Sequence, residues 1–243
     1  MPPRTRTAVR GKVALTWLGH SAFLIRSPKG KTIVIDPWLE NPKAPPEARA
    51  LSTADIILVT HGHGDHLGNT VALAERTQAS VYAVYEVALY LQSQGLKNVT
   101  GINKSGCATV DGITLTMTNA EHSGGIEPGG PILASGDPAG FVIRLENGLT
   151  IYHAGDTGVF GDMRIIRDLY KPAIVLLPIG GLFTMGPREA AYACTLLKPK
   201  HIIGMHYGTF PALSGTPAQL KRFLPPAMRK KVLELTPGIA VEF

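Results

Sequence analysis

Val59-Thr-His-Gly-His-Gly-Asp-His-Leu-Gly-Asn69 places His61, His63, Asp65 and His66 within six positions, spaced by Gly62 and Gly64. Three imidazoles and a carboxylate held that close crowd one another unless positive charge sits between them. Imidazole nitrogen and carboxylate oxygen are also the usual N and O ligands of zinc-like divalent ions. The residues just before, Asp55 to Thr60, are apolar or β-branched at five of six positions and predict a buried strand. Leu67 to Thr77 reads as a short amphipathic helix. The histidine cluster therefore occupies the loop at the C-terminal end of a rigid strand, where functional side chains are commonly mounted.

Working outward, the same placement recurs. Gly112 to Asn119 alternates Ile113, Leu115 and Met117 with Thr114, Thr116 and Thr118, the pattern of a half-buried strand, and His122 follows its end. Gly140 to Leu145 and Thr150 to His153 form a predicted hairpin about Glu146-Asn-Gly148, and Asp156 follows the second strand. His201 to Gly204 is a short predicted strand with His206 at its exit. Before the histidine motif, Val13 to Leu18, Ala22 to Ile25 and Thr32 to Ile35 predict an antiparallel meander turning at Ser27-Pro-Lys-Gly30. Ser80 to Val84 and Ala173 to Ile179 read as strands; Tyr85 to Gln94, Asp162 to Tyr170, Pro187 to Leu197 and Pro217 to Leu224 read as helices. Short strands are expected around Val232 to Leu235 and Ile239 to Phe243. Pro37 to Ala50 reads as an irregular loop, and Ser123 to Pro138, rich in Gly, Pro and Ser, as a flexible lid. With no internal repeat and no linker, residues 12–243 are expected to form one domain after a flexible basic tail at residues 1–11.

His61, His63, Asp65, His66, His122, Asp156 and His206 can thus converge on one rim of a sheet pair. At four to five ligands per ion, these side chains divide into two sites, with one carboxylate shared and a water or hydroxide bridging. Ions about 3.5–4 Å apart can activate that water and stabilise the leaving oxygen. A set of nitrogen and oxygen donors fits zinc, manganese, iron and cobalt. The competing reading of these residues is a hydrogen-bonded polar cluster, which would have to arise independently in four loops.

The chain resembles the metallo-β-lactamase-fold superfamily through His61-Gly-His-Gly-Asp-His66. It is most similar to the branch of L-ascorbate-6-phosphate lactonase and related metal-dependent hydrolases, through Trp17-Leu-Gly-His-Ser21, Ile35-Asp-Pro37, Ala154-Gly-Asp-Thr157, Phe183-Thr-Met-Gly-Pro187 and Met205-His-Tyr-Gly208. The resemblance spans nearly the whole chain and implies an α/β protein, an αββα sandwich of two mixed sheets flanked by helices. It implies that His61, His63 and His122 hold one divalent ion and that Asp65, His66 and His206 hold a second, with Asp156 bridging. Zinc is then the first choice of metal, with manganese or iron as alternatives. It also implies a hydrolase whose bridging hydroxide attacks a small ester, lactone or phosphoester, with Asp65 relaying a proton. No cysteine lies near the ligand loops, which argues against antibiotic hydrolysis.

Other residues carry two readings each. His20 either contacts substrate or a ligand residue, or is a satisfied structural histidine. Asp36 either accepts the N–H of a ligand histidine and orients it, or caps a turn. Thr184 lies in a glycine-flanked loop expected to border the pocket, and Tyr207 either donates to a developing oxyanion or packs in the core. His153 and His201 read as structural.

The net charge of +6 and pI near 9.4 suggest a pull on anionic small molecules. Much of the excess gathers near the two ends of the chain, without the interleaved aromatics of a nucleic-acid platform. Nucleic acid is therefore not the expected partner, and a phosphodiesterase or nuclease is an alternative reading, as is a non-catalytic metal-binding or sensory protein. No apolar run reaches the roughly 18–20 residues needed to span a bilayer, and no apolar segment near Met1 reads as a signal peptide. With two cysteines, Cys107 and Cys194, a reducing cytoplasmic setting is expected. The resemblance allows a homo-oligomer; no heptad repeat shows one.

Overall fold

A computed structural model describes residues 11–127 and 129–243. The tail expected at residues 1–11 therefore lies almost wholly outside the described residues. Strands β1 (Ala14–Trp17), β2 (Phe23–Arg26), β3 (Thr32–Ile35), β4 (Ile56–Val59), β5 (Ser80–Val84) and β6 (Val99–Ile102) belong to one sheet. Strands β7 (Cys107–Val110), β8 (Ile113–Asn119), β9 (Ala139–Arg144), β10 (Thr150–His153), β11 (Ile174–Pro178), β12 (His201–Met205) and β13 (Val232–Leu233) form the other, and β14 (Ala240–Glu242) returns to the first. The strand orders are β14-β1-β2-β3-β4-β5-β6 and β13-β12-β11-β10-β9-β8-β7. Each sheet is antiparallel over one half and parallel over the other: β3 to β6 and β10 to β13 are parallel, and the rest antiparallel.

The two-residue side-chain period of a strand sorts the apolar residues into two layers. In the second sheet Phe141, Ile143, Ile151, Ile174, Leu176 and Ile203 join Leu15, Phe23, Ile25, Ile33, Ile35 and Leu58 of the first sheet in one buried cluster. The alternate residues Val142, Tyr152, Val175, Leu177 and Ile202 pack outward against Met163, Ile166, Ala190, Cys194, Leu197 and Leu220 of the helices 163–170, 187–197 and 217–223. On the first sheet, Leu73, Val87 and Leu91 bring helices 70–77 and 85–93 into the same core as the strands. The result is the two mixed sheets flanked by helices that the resemblance implied. Among the described residues, no helix is long and apolar enough to cross a membrane.

Three local differences from the sequence reading have physical causes. Strands β6 and β7 were not anticipated; they are four-residue edge strands, partly exposed, whose order comes from a single neighbour. The helix expected over 67–77 is split into 64–67 and 70–77 at Gly68. That glycine has φ 42° and lies so close to the Trp38 backbone that a Cβ would meet it at 2.6 Å. The 123–138 loop is folded back on itself, Ile126 and Leu133 exchanging two backbone hydrogen bonds of 2.9 Å.

Strand direction decides where chemistry can gather. β1, β3 and β4 of the first sheet and β8, β10, β11 and β12 of the second all end on one rim. Their exits carry His20, Asp36, the His61–His66 loop, His122, Asp156, the 180–186 loop and His206 in turn.

Candidate metal centre

Asp36 is the hub of the supporting shell. It is fully buried at the exit of β3 with φ 45°. Its Oδ1 accepts the Thr60 backbone N–H at 2.8 Å, and its Oδ2 accepts the Thr60 hydroxyl and His66 Nδ1–H, both at 2.7 Å. His66 therefore presents its Nε2 lone pair to the centre. Having donated its proton to Asp36, the Thr60 hydroxyl can only accept from His61 Nδ1, 3.1 Å away, which leaves His61 Nε2 free as well. One carboxylate and one hydroxyl thus select the tautomers of two histidines, the usual way an outer shell orients metal ligands.

The inner atoms face one another without bonding. His66 Nε2 lies 3.2 Å from Asp156 Oδ1, and His206 Nε2 lies 2.9 Å from Asp156 Oδ2. Yet His66 Nε2, Asp156 Oδ1 and His206 Nε2 are all buried without an aligned hydrogen bond. His61 Nε2 and His63 Nδ1 meet at 3.0 Å, a contact between two ring nitrogens that needs a proton or a cation. Buried polar atoms are rarely left unpartnered, so this convergence is itself a mark of a cation site. The donor atoms fall into three overlapping groups: His61, His63 and His122; His20, Asp65, His66 and His206; and His61, His66 and Asp156. The last joins the other two through His61 and His66.

Charge tells the same story. Burial opposes a charged His66, but Asp156 and Asp36 outweigh it and hold its pKa well above the ordinary value. Burial likewise opposes a charged His206, but Asp156 and Asp65 raise it to about 9. Burial alone would raise the Asp156 pKa; His66 and His206 override it and hold the carboxyl well below its usual range. His61 is driven well down by burial, reinforced by the neighbouring His66 charge. The carboxylates here draw positive charge onto the imidazoles around them, the role a divalent cation fills when ligands shed their protons.

His20 is drawn into the centre too. Fully buried, it is pushed down to about 4 by burial, despite Asp65, so its ring is neutral. Nε2–H donates to Asp65 Oδ2 at 3.0 Å, and Nδ1 accepts from the Thr209 hydroxyl at 2.9 Å. His206 Nδ1 has no partner; its position is set by the backbone instead, through an N–H bond to the His20 carbonyl at 3.0 Å. His20, Asp36 and His206 all have left-handed backbones, φ 51°, 45° and 54°. Such non-glycine conformations cost about 1–3 kcal/mol each and persist where their surroundings over-determine them, typically at functional sites.

Two expected site residues do not join the cluster. The Tyr207 ring stacks on Trp17 at 5.2 Å under the Lys43 ammonium, which keeps it packed away from the cleft. Thr184 Oγ1 is buried and unpartnered, and its neighbour Phe183 lines the cleft in its place. His153 is a satisfied core residue: Nε2–H donates to the Ser21 carbonyl at 2.9 Å and Nδ1 accepts from Gly155 N–H at 3.1 Å. His201 lies against Phe243, away from the rim. The reading missed Thr60, Thr209, Ser123, Glu127 and Phe183. For Thr60 a signal existed, a hydroxyl residue adjoining the first candidate ligand; Phe183 opens a motif of the resemblance, and Ser123 and Glu127 lie in the loop read as a lid, but none of the three was given a role, and Thr209 had no signal. Together the inner residues floor an open cleft of about 410 Å³, walled by Ser123, Glu127 and Phe183.

A family model described as a beta-lactamase superfamily domain matches residues 14–206, from β1 through the last histidine of the centre. The chain belongs to that superfamily. Among curated relatives, it is 47% identical over 231 residues to a UPF0173 metal-dependent hydrolase of Methanosarcina barkeri, covering 95% of this chain and 98% of the relative. A UPF0173 metal-dependent hydrolase of Koribacter versatilis is 46% identical over 211 residues, covering 86% and 91%. Among solved structures, a metallo hydrolase from the hyperthermophilic archaeon Ignicoccus hospitalis superposes with a TM-score of 0.85 at 36% identity, over 96% of this chain and 98% of that one. The chain is thus a metal-dependent hydrolase of the UPF0173 family, with a His/Asp cluster able to hold metal.

Proposed function

We propose that this hydrolase holds two divalent ions, zinc first, and cleaves small carboxylic esters or lactones. The observation that carries this reading is the unbonded convergence of His66 Nε2, Asp156 Oδ1 and His206 Nε2, beside the group of His61, His63 and His122. His61, His63 and His122 would hold one ion, and Asp65, His66 and His206 the other, with Asp156 shared. When bound, the ions supply the Lewis acidity that makes a water nucleophilic near neutral pH and polarises the bond attacked.

The residues provide the rest. Water adds to the carbonyl carbon, the acyl C–O bond breaks, and the alcohol leaves with a proton that the water gave up. Asp156 is enclosed, with a side-chain exposure of 3%, whereas Asp65 reaches the cleft at 27%. Asp65 is therefore the carboxylate placed to carry that proton, and His20 N–H holds its Oδ2 in position. Asp36 and Thr60 keep His66 and His61 in the ligating tautomer. A cytoplasmic setting belongs to the same proposal, on cysteine usage alone.

The test joins elemental analysis of the purified chain to turnover of ester and lactone panels. Two equivalents of metal per chain, with activity lost in His61→Ala and Asp156→Ala while the fold persists, is the expected result. One equivalent at full activity would overturn the paired site, and undiminished turnover in either variant would overturn the mechanism.

A further inference from the structure

We infer that the substrate is uncharged, that its apolar group rests on Phe183, and that phosphate- or carboxylate-bearing molecules are selected against. The inference rests on the hydrolase reading above and names the substrate class of that same cleft. Net charge alone points the other way, so the placement of each charge decides.

Outside the metal cluster, the side chains walling the cleft are Ser123, Glu127 and Phe183. Among the described residues that line it, none is a lysine or arginine. The ions of the reading above would act on the scissile bond; recognition of a phosphate or carboxylate elsewhere on the substrate usually relies on a lysine or arginine, most strongly a bidentate arginine. Glu127 instead sets an exposed carboxylate at the mouth. The nearby Lys43 is held back, its ammonium 4.7 Å over the Tyr207 ring and 5.5 Å over Trp17.

Positive charge gathers elsewhere. Arg167, Lys171, Lys198 and Lys200 line a separate cleft at the starts of β10, β11 and β12. That is the rim opposite the metal centre, because those strands start there and end at the centre. These four cations therefore do not face the reacting groups.

The apolar wall is presented deliberately by the backbone. Leu182 takes a left-handed φ of 59°, and the turn leaves Phe183 58% exposed. The loop is pinned on both sides: Gly181 N–H donates to the Met185 carbonyl, and Met185 N–H donates to the Thr157 carbonyl, both at 3.1 Å. Met185 itself is 2% exposed. Phe183 is thus an exposed aromatic on a fixed mount, tethered to the residue after Asp156. Pockets of this kind take orientation from a few polar groups and affinity from apolar contact.

The experiment uses the full-length, metal-loaded chain and matched pairs: 4-nitrophenyl hexanoate against the mono-adipate ester, and a neutral δ-lactone against a phosphorylated one. The neutral member of each pair is expected to show kcat/KM about tenfold higher or more, a usual scale for discrimination in an apolar pocket. Phe183→Ala should raise KM for the hexanoate by a larger factor than for the acetate ester. Glu127→Lys should narrow the gap within each pair; both positions are exposed, so unfolding midpoints should stay put. Equal or preferred turnover of the charged members overturns the inference, as does a gap that neither variant moves. No turnover of any member overturns the ester and lactone reading itself, and the inference with it.

Discussion

Replacing Asp36 with Asn removes one charge and changes almost no volume, yet the geometry predicts a large effect on metal retention. The amide oxygen can keep the bond from Thr60 N–H, 2.8 Å away in the native protein. The amide nitrogen then faces the Thr60 hydroxyl and His66 Nδ1–H, native distances 2.7 Å each. Two donors now oppose each other at His66, and the relief open to the ring is to move its proton to Nε2. That is the wrong tautomer for ligation. Loss of an outer-shell partner typically costs 10–100-fold in metal affinity, about 1.4–2.7 kcal/mol. Each bond to a buried charged acceptor contributes about 1.5–3 kcal/mol, so losing two lowers folding stability by roughly 3–6 kcal/mol. Chelator competition measures the first quantity and urea unfolding the second. Because Asp36 does not line the cleft, saturating metal should restore much of kcat. Unchanged metal affinity combined with a lowered kcat would refute the tautomer argument.

Stripping metal should destabilise the fold: an ion present at about 100 times its Kd contributes about 2.7 kcal/mol, a Tm gain of roughly 5–10 °C at this length, read by calorimetry with and without chelator. His153→Leu should cost about 2–6 kcal/mol in urea unfolding, since it strands the buried Ser21 carbonyl and Gly155 N–H, while the metal-loaded folded fraction keeps its turnover. Cys107 is exposed, whereas burial pushes the Cys194 thiol up to about 12. Iodoacetamide at pH 8 should therefore label one cysteine in native protein and both in denaturant, and two equivalents under native conditions would contradict the packing of helix 187–197. Gly62→Val should displace the His61–His66 loop, because even a Cβ there meets Ile126 and Ser135 at 2.6 and 2.7 Å; weakened metal binding is the readout.

The sequence by itself determined the strands with strong period-two or fully apolar runs, β3, β4, β8 and β11 among them, and placed a ligand candidate after four of the strands. Those are local properties: hydrophobic period, turn residues and donor chemistry are written into neighbouring positions. Helix 187–197 was legible for the same reason, with Pro187 in its first turn. Edge strands β6 and β7 were not legible, because four residues carry too little pattern and their order comes from pairing.

Tertiary structure decided what depends on residues far apart in sequence. Asp36 meets His66 across 30 positions, where the sequence offered a histidine partner as one of two readings without saying which histidine, and His20 meets Thr209 across 189, a contact nothing local announces. Tyr207 and Phe183 were exchanged in importance by backbone geometry: one turn folds the tyrosine onto Trp17, and another holds the phenylalanine beside the cleft. Composition gives charge only as a sum; strand direction is what carries Arg167, Lys171, Lys198 and Lys200 to the rim opposite the metal centre. Ligand identity is local chemistry, whereas orientation, tautomer and field are set by whatever the fold brings alongside.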